Sequence, residues 1–392
     1  MSPGSWGAAR ARRRPGPCRP VRSRTARAAP PRAVRRGRRV RSVRMQQHAP
    51  SPPPSGSSPA AELAALLPPP RREPVLLADR PDGTVVRAGG AVAKAHAPDV
   101  DPSALAVRLR VAADPALRGV LLPPLRPEPA GLLHDGRPAT VWPYGVPVDP
   151  ADPEAAPWEE AGTLLARLHT APHDEIARRH GPLPPMRGPL KAAAAVTRMR
   201  DARAAPDAPD APAAPAAPVG GTTGRAAPED ADASLDAARH AVEGAWARLP
   251  AWCRAEAAPP PGRPRALCHG DFHLGQLVRH PPPEGRWQLI DIDDLGLGDP
   301  AWDLARPAAW FAAGLLPPPA WERLLVGYLA VRRLPVDDLW DWLDEPARAL
   351  TVQTAAVAVA KATPEARTLD ADERALVEAC CRIVELPGPA RP

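Results

Sequence analysis

Two short stretches concentrate ionisable side chains in a chain that is otherwise rich in alanine, proline and arginine. The first, LCHGDFHLGQLV, begins at Leu267, and the second, LIDIDDLGLGDPAWDLA, begins at Leu289. Transfer of a phosphoryl group requires an acid that orients the acceptor hydroxyl, hard oxygen ligands for Mg²⁺, and a cation on the phosphates. The acids and the amide of these stretches could meet the first two requirements.

Three of these side chains have the types and spacing of a metal-assisted transfer site. Asp271 lies in a stretch that predicts a tight loop, where one carboxylate can be aimed at a substrate. Gln276 follows it and offers an amide oxygen. The apolar pair before Asp291 predicts a buried strand that ends at this acid. A loop acid that faces a strand-end acid would form a two-sided cup for a metal ion, whereas either acid alone could be a turn or a helix cap.

Two further acids, in GDPAWDLA, indicate the start of a helix instead. Asp299 is predicted to be the N-cap, Pro300 suits the first helical position, and Asp303 falls in the first turn, where a carboxylate favours the helix dipole. These two residues are therefore expected to have structural roles.

The elements that must position these residues begin with a β-rich segment over residues 71–148. Residues 74–96 predict three strands, with turns at Asp82-Gly83 and Gly89-Gly90, in the stretch PVLLADRPDGTVVRAGGAVAKAH. DPSALAVRLRVAADPAL predicts a helix capped by Asp101. GVLLPPL and ATVWPYG predict two more strands. The result is a small β-rich lobe with one helix.

Residues 149–388 predict a larger, mostly helical lobe. PWEEAGTLLARLHTAP has helical apolar spacing, and further helices are expected near 231–249, 302–314, 319–332, 337–361 and 371–385. Residues 203–230 are low-complexity Ala/Pro/Asp text and predict a flexible insertion. The fold class is thus α+β, with two lobes.

Charge is distributed unevenly along the 392 residues. The net charge is +7, but residues 1–44 hold 15 arginines and no acid, so the remainder carries 7 − 15 = −8. Residues 1–70 predict a disordered Arg/Pro-rich tail, with Met45 as an alternative start and a phosphate-binding tail as a third possibility. Since the remainder is acidic, we do not expect a nucleic-acid partner.

Cysteine usage and hydropathy indicate a compartment. The five cysteines have no CxxC spacing, which is typical of a reducing cytoplasm rather than a disulfide framework. No apolar run reaches the ~18–20 residues of a membrane span, and the basic N-terminus has no apolar core behind it. We expect a cytoplasmic protein without a membrane partner; its oligomeric state is open.

The double motif CHGDFHLGQLV…LIDIDDLGLGDPAWDLA resembles the catalytic segment of the aminoglycoside phosphotransferase family, relatives of the protein kinases. LLARLH at 164–169 is similar to that family's helix after the hinge, and the resemblance extends over about 73–365. It implies a bilobal protein-kinase-like fold, with a nucleotide-binding small lobe and a hinge at 141–148 whose backbone would pair with adenine.

The resemblance also implies roles for residues of the motif. Asp271 would be the catalytic base, and His269 would brace the catalytic loop. Asp291 would be the main Mg²⁺ ligand, and Gln276 stands where the family usually has an Asn ligand. His273 would support the loop or be exposed.

The phosphate-binding cation would come from the small lobe. Lys94 lies on the third predicted strand, where the family has its phosphate-binding Lys, and lysine is rare in this chain. The Gly89-Gly90 turn would lie near the phosphates. Kinase-like enzymes orient the Lys with a Glu on the next helix, but no Glu occurs between Lys94 and Glu128.

Asp293 and Asp294, which follow Asp291 in the second motif, are extra acids of that motif. We expect them to be solvated, with help in holding a second ion as the alternative.

Two functions remain open at this point. The first is an ATP- and Mg²⁺-dependent phosphotransferase acting on a hydroxyl of a small molecule, such as an aminoglycoside, a sugar or an amino alcohol; the acidic helical lobe would suit a cationic acceptor. The second is a degenerate kinase-fold binding module with little transfer, which the missing Glu and the longer Gln276 favour.

Overall fold

The computed structural model describes residues 58–69, 73–80, 83–204, 228–333 and 339–386. The tail up to residue 57, the turn residue Asp82 and most of the predicted insertion, residues 205–227, lie outside this part of the chain. Within it, a β-sheet lobe precedes a mostly helical lobe, so the α+β bilobal architecture is confirmed.

The small lobe is built on one antiparallel sheet with the strand order β1-β2-β3-β5-β4. Its strands are β1 Val75–Arg80, β2 Gly83–Ala88, β3 Ala91–Ala95, β4 Gly131–Leu132 and β5 Pro138–Pro143. β3 is a central strand, and its Lys94 pairs with Val85 on one side and Thr140 on the other. Because β3 is paired with a strand on each side, the register of Lys94 is set, and with it the face of the sheet to which Lys94 belongs.

A helix that the sequence did not predict covers one face of this sheet. Helix α1, Pro59–Leu66, lies within the segment that was expected to be disordered, and that boundary was wrong. Ser58 caps it by accepting a hydrogen bond from the Ala61 amide. Leu63 and Leu67 are buried in the small-lobe core, so apolar burial stabilises a helix in a Pro/Ser-rich context.

Helix α2, Pro102–Ala112, follows the third strand as predicted, and Asp101 caps it. The predicted strand at 119–125 was wrong. Two consecutive prolines, Pro123 and Pro124, remove amides that a strand would need. The segment instead forms isolated backbone bonds: the Leu122 amide donates to the Leu289 carbonyl, the Leu289 amide donates to the Val120 carbonyl, and the Leu125 amide donates to the Val141 carbonyl.

Two small sheets of the large lobe deliver the motif residues. β6 Val146–Pro147, β8 Leu277–His280 and β9 Arg286–Leu289 form one, in the order β6-β8-β9, and β7 Ala266–Cys268 pairs with β10 Gly296–Gly298 in the other. The hinge strand β6 therefore lies in the same sheet as β8, which follows Gln276, and β9, which precedes Asp291.

The rest of the large lobe is helical, and the predicted helices are present. They are α3 Trp158–His169, α4 His173–His180, α5 Gly188–Ala204, α6 Pro228–Arg248, α7 Ala301–Ala312, α8 Pro318–Val331, α9 Leu339–Ala362 and α10 Ala371–Glu385. α9 contacts α5, α6, α7 and α10, so it is the central helix of this lobe. None of the described helices combines the length and the apolar character needed to cross a membrane.

Helices α3 and α8 approach each other at two reciprocal glycines. A Cβ added at Gly162 would overlap the carbonyl oxygen of Leu324, and one added at Gly327 would overlap that of Glu159. Each helix thus lacks a side chain where the other's backbone lies. This close approach brings Tyr328 of α8 to His169 of α3, where the hydroxyl and Nδ1 are 2.9 Å apart.

Candidate active site

The loop that carries Asp271 depends on a glycine. Gly270 adopts φ 85°, a left-handed conformation, and a Cβ there would overlap the backbone carbonyl of Asp294. Only glycine meets both conditions without strain. The loop therefore packs directly against the second motif.

Asp303 holds the backbone of this loop from below. Its Oδ2 accepts a hydrogen bond from the His269 amide at 2.6 Å, and its Oδ1 accepts one from the Gly270 amide at 2.7 Å. His169 Nε2 donates to the same carboxylate at 2.9 Å. Burial would raise the pKa of Asp303, but the bonds from His169 and the loop amides outweigh it and lower the pKa.

His269 joins the two motifs. It is 1% exposed, and its Nε2 donates to the carbonyl of Ile290 at 2.7 Å. Ile290 directly precedes Asp291, so one imidazole links the Asp271 loop to the metal-binding candidate. This contact fits a bracing role rather than contact with reacting atoms.

His273 forms a local bond at the start of the short 3-10 helix Leu274–Gln276. Its Nδ1 accepts from the Gly275 amide at 3.1 Å. Burial lowers the pKa of His273 to about 4, against the opposing charge of Asp271, so the ring is neutral near pH 7. It therefore supports the loop, one of the two outcomes expected for it.

Asp271 is held by two cations that the sequence analysis did not assign. Lys191 Nζ of α5 lies 2.7 Å from Oδ2, and Arg306 of α7 donates to Oδ1 at 2.5 Å. Burial would raise the pKa of Asp271, but Lys191 and Arg306 outweigh it and lower the pKa. The Asp271 carboxylate is thus ionised at neutral pH. The rarity of lysine was the one sequence signal that could have indicated Lys191.

Asp291 lies across from Gln276. Asp291 has φ 65°, an uncommon left-handed conformation that Asp tolerates better than most residues. Gln276 is 8% exposed, and its Nε2 is 3.4 Å from Asp291 Oδ2. The two predicted metal ligands are thus brought together.

Lys94 reaches Asp291 and Asp293 instead of a helix glutamate. Its Nζ is 2.8 Å from Asp291 Oδ1 and 3.0 Å from Asp293 Oδ2. His96 Nδ1 lies 2.8 Å from the other oxygen of Asp293. Burial would lower the pKa of Lys94, but the two carboxylates raise it above its ordinary value. The partner that the sequence analysis missed belongs to the motif itself.

The prediction that Asp293 and Asp294 are solvated was wrong. Asp293 is paired with Lys94 and His96, and its pKa is lowered because their charges outweigh burial. Asp294 is 8% exposed and lies 2.7 Å from Lys191 Nζ. Burial raises the pKa of Asp294 despite this lysine. Lys191 therefore connects Asp294 to Asp271.

Helix α2 presents an arginine to the second motif. Arg108 is 4% exposed, and its Nε donates to the carbonyl of Leu295 at 2.8 Å. A guanidinium thus anchors this helix to the Asp291–Leu295 loop, where kinase-like enzymes were expected to supply a glutamate.

The Gly89-Gly90 turn lies at the hinge and is not brought to Lys94. The Tyr144 amide donates to the Gly90 carbonyl at 2.8 Å, and the Arg87 guanidinium lies 3.4 Å from the centre of the Tyr144 ring. Lys94 lies four positions beyond Gly90 along an extended strand, which corresponds to about 13 Å. This turn therefore shapes the hinge end of the small lobe.

The donor set around Asp291 fits a hard divalent cation. A carboxylate and a side-chain amide face each other, and rotation of the Gln276 amide would present its oxygen in place of the nitrogen. Mg²⁺ prefers such oxygen ligands. The carboxylate of Asp291 and the amide of Gln276 are the groups that could hold it, and Lys94 beside them could contact phosphate.

Several proteins of known structure are similar to this chain. A choline/ethanolamine kinase family protein from Mesorhizobium loti is similar at 17% identity and a TM-score of 0.44, covering 83% of this chain and 92% of that chain. A spectinomycin phosphotransferase is similar at 14% identity and a TM-score of 0.48, over 80% of this chain and 92% of the other. A macrolide 2'-phosphotransferase from Brachybacterium faecium gives 20% identity, a TM-score of 0.40, and coverage of 81% and 93%.

No curated protein matches the sequence significantly. The family model described as phosphotransferase enzyme family matches residues 109–346, which is more than half of the chain and includes both motifs. The chain belongs to the phosphotransferase enzyme family.

Proposed function

We propose that the protein transfers the γ-phosphoryl group of ATP, with Mg²⁺, to a hydroxyl group of a small molecule. The observation that carries this proposal is the link between the two acids. The Asp271 loop and the Asp291 loop are joined by the bond from His269 to Ile290, and Lys191 joins Asp271 to Asp294. A base and a phosphate-binding side are thus held in one unit.

Asp271 would act on the acceptor. Its ionised carboxylate accepts the proton of the acceptor hydroxyl as that oxygen forms a bond to the γ-phosphorus and the bond from phosphorus to the bridging β-γ oxygen breaks. The products are a phosphate ester, ADP and a protonated Asp271. Because the transition state is loose and highly charged, positioning and charge contribute more than proton removal itself.

Lys94 would bind the phosphates of ATP. In the structure its ammonium is shared by Asp291 and Asp293, so entry of the nucleotide would exchange one carboxylate partner for a phosphate oxygen. Asp291 and Gln276 would hold Mg²⁺, which neutralises charge on the phosphates when bound. His269, Asp303 and His169 would position the loop without contact with the reacting atoms.

The buried free thiols of Cys253, Cys268 and Cys380 support a place in a reducing compartment such as the cytoplasm. Burial raises the pKa of each of these thiols. They are therefore poor nucleophiles at neutral pH, and we assign them no part in transfer.

The alternative is a binding module that holds nucleotide without transferring phosphate. Two observations favour it: both oxygens of Asp271 are engaged by cations, and Gln276 is one methylene longer than the expected Asn. The two functions differ in turnover, not in nucleotide binding.

The variant Asp271→Asn separates these functions. Removal of the proton acceptor should reduce transfer by about 10²–10⁴-fold, the usual range for a general base, and leave the affinity for ATP with Mg²⁺ largely unchanged. Product ester is measured by mass spectrometry and binding by calorimetry. Asp344→Asn, which alters a partly exposed acid paired with Arg348, is the matched control. ATP binding without ester formation in the wild-type protein would support the binding module.

A further inference from the structure

A narrow cleft opens beside Asp271 on the side of the helical lobe. Gly188 of α5, Trp302 and Arg306 of α7, and Gln353 of α9 line it together with the Asp271 loop. The proposed phosphates lie on the other side, at Lys94 and Asp291. The cavity is small, about 10 Å³, so an acceptor that approaches Asp271 from this side would have to displace the side chains that line it and would contact them directly.

The charged residues of this cleft offer no free carboxylate to a cationic acceptor. Among the described residues that line it, Arg306 is the one cation and Asp271 the one acid, and Arg306 already occupies Oδ1 of that acid. Lys191 occupies Oδ2. An ammonium group on the acceptor would therefore meet two cations and find no free carboxylate here.

Arg306 also has unused hydrogen-bonding capacity. Its NH2 group donates to Asp271, but its buried Nε has no hydrogen-bond partner in the part of the chain that the structure describes. The indole Nε1 of Trp302, on the same helix and 4% exposed as a residue, has none there either. Buried donors without partners are uncommon in folded proteins and indicate a missing acceptor.

We propose that the acceptor is anionic: it carries a carboxylate or a phosphate close to the hydroxyl that is phosphorylated, and Arg306 binds this group. A guanidinium matches either oxyanion with two parallel N–H donors, which Nε and NH2 provide. This assignment rests on the proposed function, and it differs from the cationic acceptor that the acidity of the helical lobe suggested.

The exchange of partners at Arg306 would free one carboxylate oxygen of Asp271. When the guanidinium moves from Asp271 Oδ1 to the oxyanion of the acceptor, Oδ1 becomes free to accept the hydroxyl proton. The hydroxyl oxygen of the acceptor then bonds to the γ-phosphorus, the bond from phosphorus to the β-γ bridging oxygen breaks, and ADP leaves, with the proton held on Asp271. Lys191 stays on Oδ2 and Asp294, so the carboxylate remains oriented.

Acceptors that differ in charge but share size test this proposal. Glycerate, glycerol and ethanolamine present a hydroxyl beside an anionic, a neutral and a cationic group. Glucose 6-phosphate and glucose form a second set, in which the anionic group is a phosphate instead of a carboxylate. With ATP and Mg²⁺, the anionic member of each set should have the highest kcat/KM, measured by ADP release and confirmed by mass of the ester. A higher kcat/KM for the cationic or neutral members would overturn the proposal.

Variants at Arg306 then test the residue itself. Arg306→Gln should reduce kcat/KM for the anionic acceptor relative to the neutral one by roughly 10- to 100-fold, as expected when a hydrogen bond to a charged group is lost. Arg306→Lys should restore part of this ratio, and Arg306→Glu should shift preference toward ethanolamine. The ratio is informative because a merely structural defect would lower kcat/KM for all acceptors alike.

The matched control is Arg348→Gln, which removes a guanidinium from a surface pair with Asp344 on α9. It should leave the ratio unchanged. An unchanged ratio in Arg306→Gln, with ATP still bound, would overturn the role of Arg306. If ATP binds with Mg²⁺ but no acceptor of any charge is phosphorylated, the proposed function fails, and this inference fails with it.

Discussion

The two sides of the site hold their acids in different ways. On one side, the Asp271 loop is fixed through its backbone, because buried Asp303 accepts the amides of His269 and Gly270. On the other side, the Asp291 carboxylate is 31% exposed and contacts the Lys94 and Gln276 side chains, with one backbone donor, the Asp293 amide at 3.3 Å. The difference indicates that the backbone of the Asp271 loop is preorganised, whereas the more exposed Asp291 carboxylate is placed to exchange partners if a nucleotide binds.

The largest effect should come from Asp303→Ala, which would break the fixed side. The change leaves two buried amides and His169 without their acceptor, and each buried donor left unsatisfied typically costs about 1–3 kcal/mol. We expect this cost in the free energy of unfolding, measured with urea, together with loss of transfer. Asp372→Ala changes the same residue type in the first turn of α10, where the side chain is exposed, and should cost far less.

The stability difference should also depend on pH. The pKa of Asp303 is lower in the folded protein than its ordinary value of about 4. Its stabilisation is therefore present above that pH and is lost as pH falls through the folded pKa. The gap between wild type and Asp303→Ala should narrow below about pH 4; a gap that stays constant would mean that packing rather than charge holds the loop.

A smaller but specific effect is expected on the exchangeable side from Asp291→Asn. Removal of the carboxylate should weaken ATP binding in the presence of Mg²⁺ by roughly 10- to 100-fold, which is the range for loss of one charged contact. Binding without Mg²⁺ should change little, and calorimetry with and without the ion measures both. Asp135→Asn, an exposed small-lobe acid paired with Arg137, is the control. Equal losses in both conditions would show that Asp291 acts through Lys94 and not through a metal.

Gln276→Asn sharpens the comparison further. Gln276 already reaches Asp291, so a shorter side chain would withdraw the amide by about one bond length, ~1.5 Å. We expect a several-fold fall in kcat at saturating ATP and a higher Mg²⁺ requirement. An increase in kcat would instead mean that the longer side chain misplaces its oxygen, as the binding-module alternative requires.

The smallest effect is expected from pH on catalysis. The pKa of Asp271 is lowered by Lys191 and Arg306 against burial, and that of His273 is about 4. Neither group titrates between about pH 6 and 8, so kcat should be nearly flat there and fall only on acidification, as Asp271 is protonated. His273→Gln should leave this profile unchanged; a new inflection near neutral pH would assign His273 a proton-transfer role.

The sequence alone predicted what is local and missed what depends on packing. Asp271, Gln276 and Asp291 were found because the flanking apolar strands and their spacing lie within one stretch of chain. Lys191 and Arg306 were missed because the side of a helix that faces a site is set by its neighbours. The same applies to the pair of Lys94 with Asp291, whose members are 197 residues apart.

Two other differences have the same origin. Helix α1 was predicted as tail because its Pro/Ser/Ala composition resembles disorder, while the sheet that buries Leu63 and Leu67 lies later in the chain. Asp293 and Asp294 were predicted to be solvated because consecutive acids usually are, but cations from β3 and α5 pair with them. Charge partners from distant elements cannot be read from local sequence.

The reciprocal glycines of α3 and α8 have a mechanical consequence. With each backbone seated where the other helix has no side chain, a slide by one residue would drive a Cβ into a carbonyl oxygen, so the pair has a single allowed register. The two helices should therefore move as one rigid unit that carries His169 and its bond to Asp303. A side chain introduced at Gly162 or Gly327 would therefore shift His169 relative to Asp303, and the Asp271 loop with it.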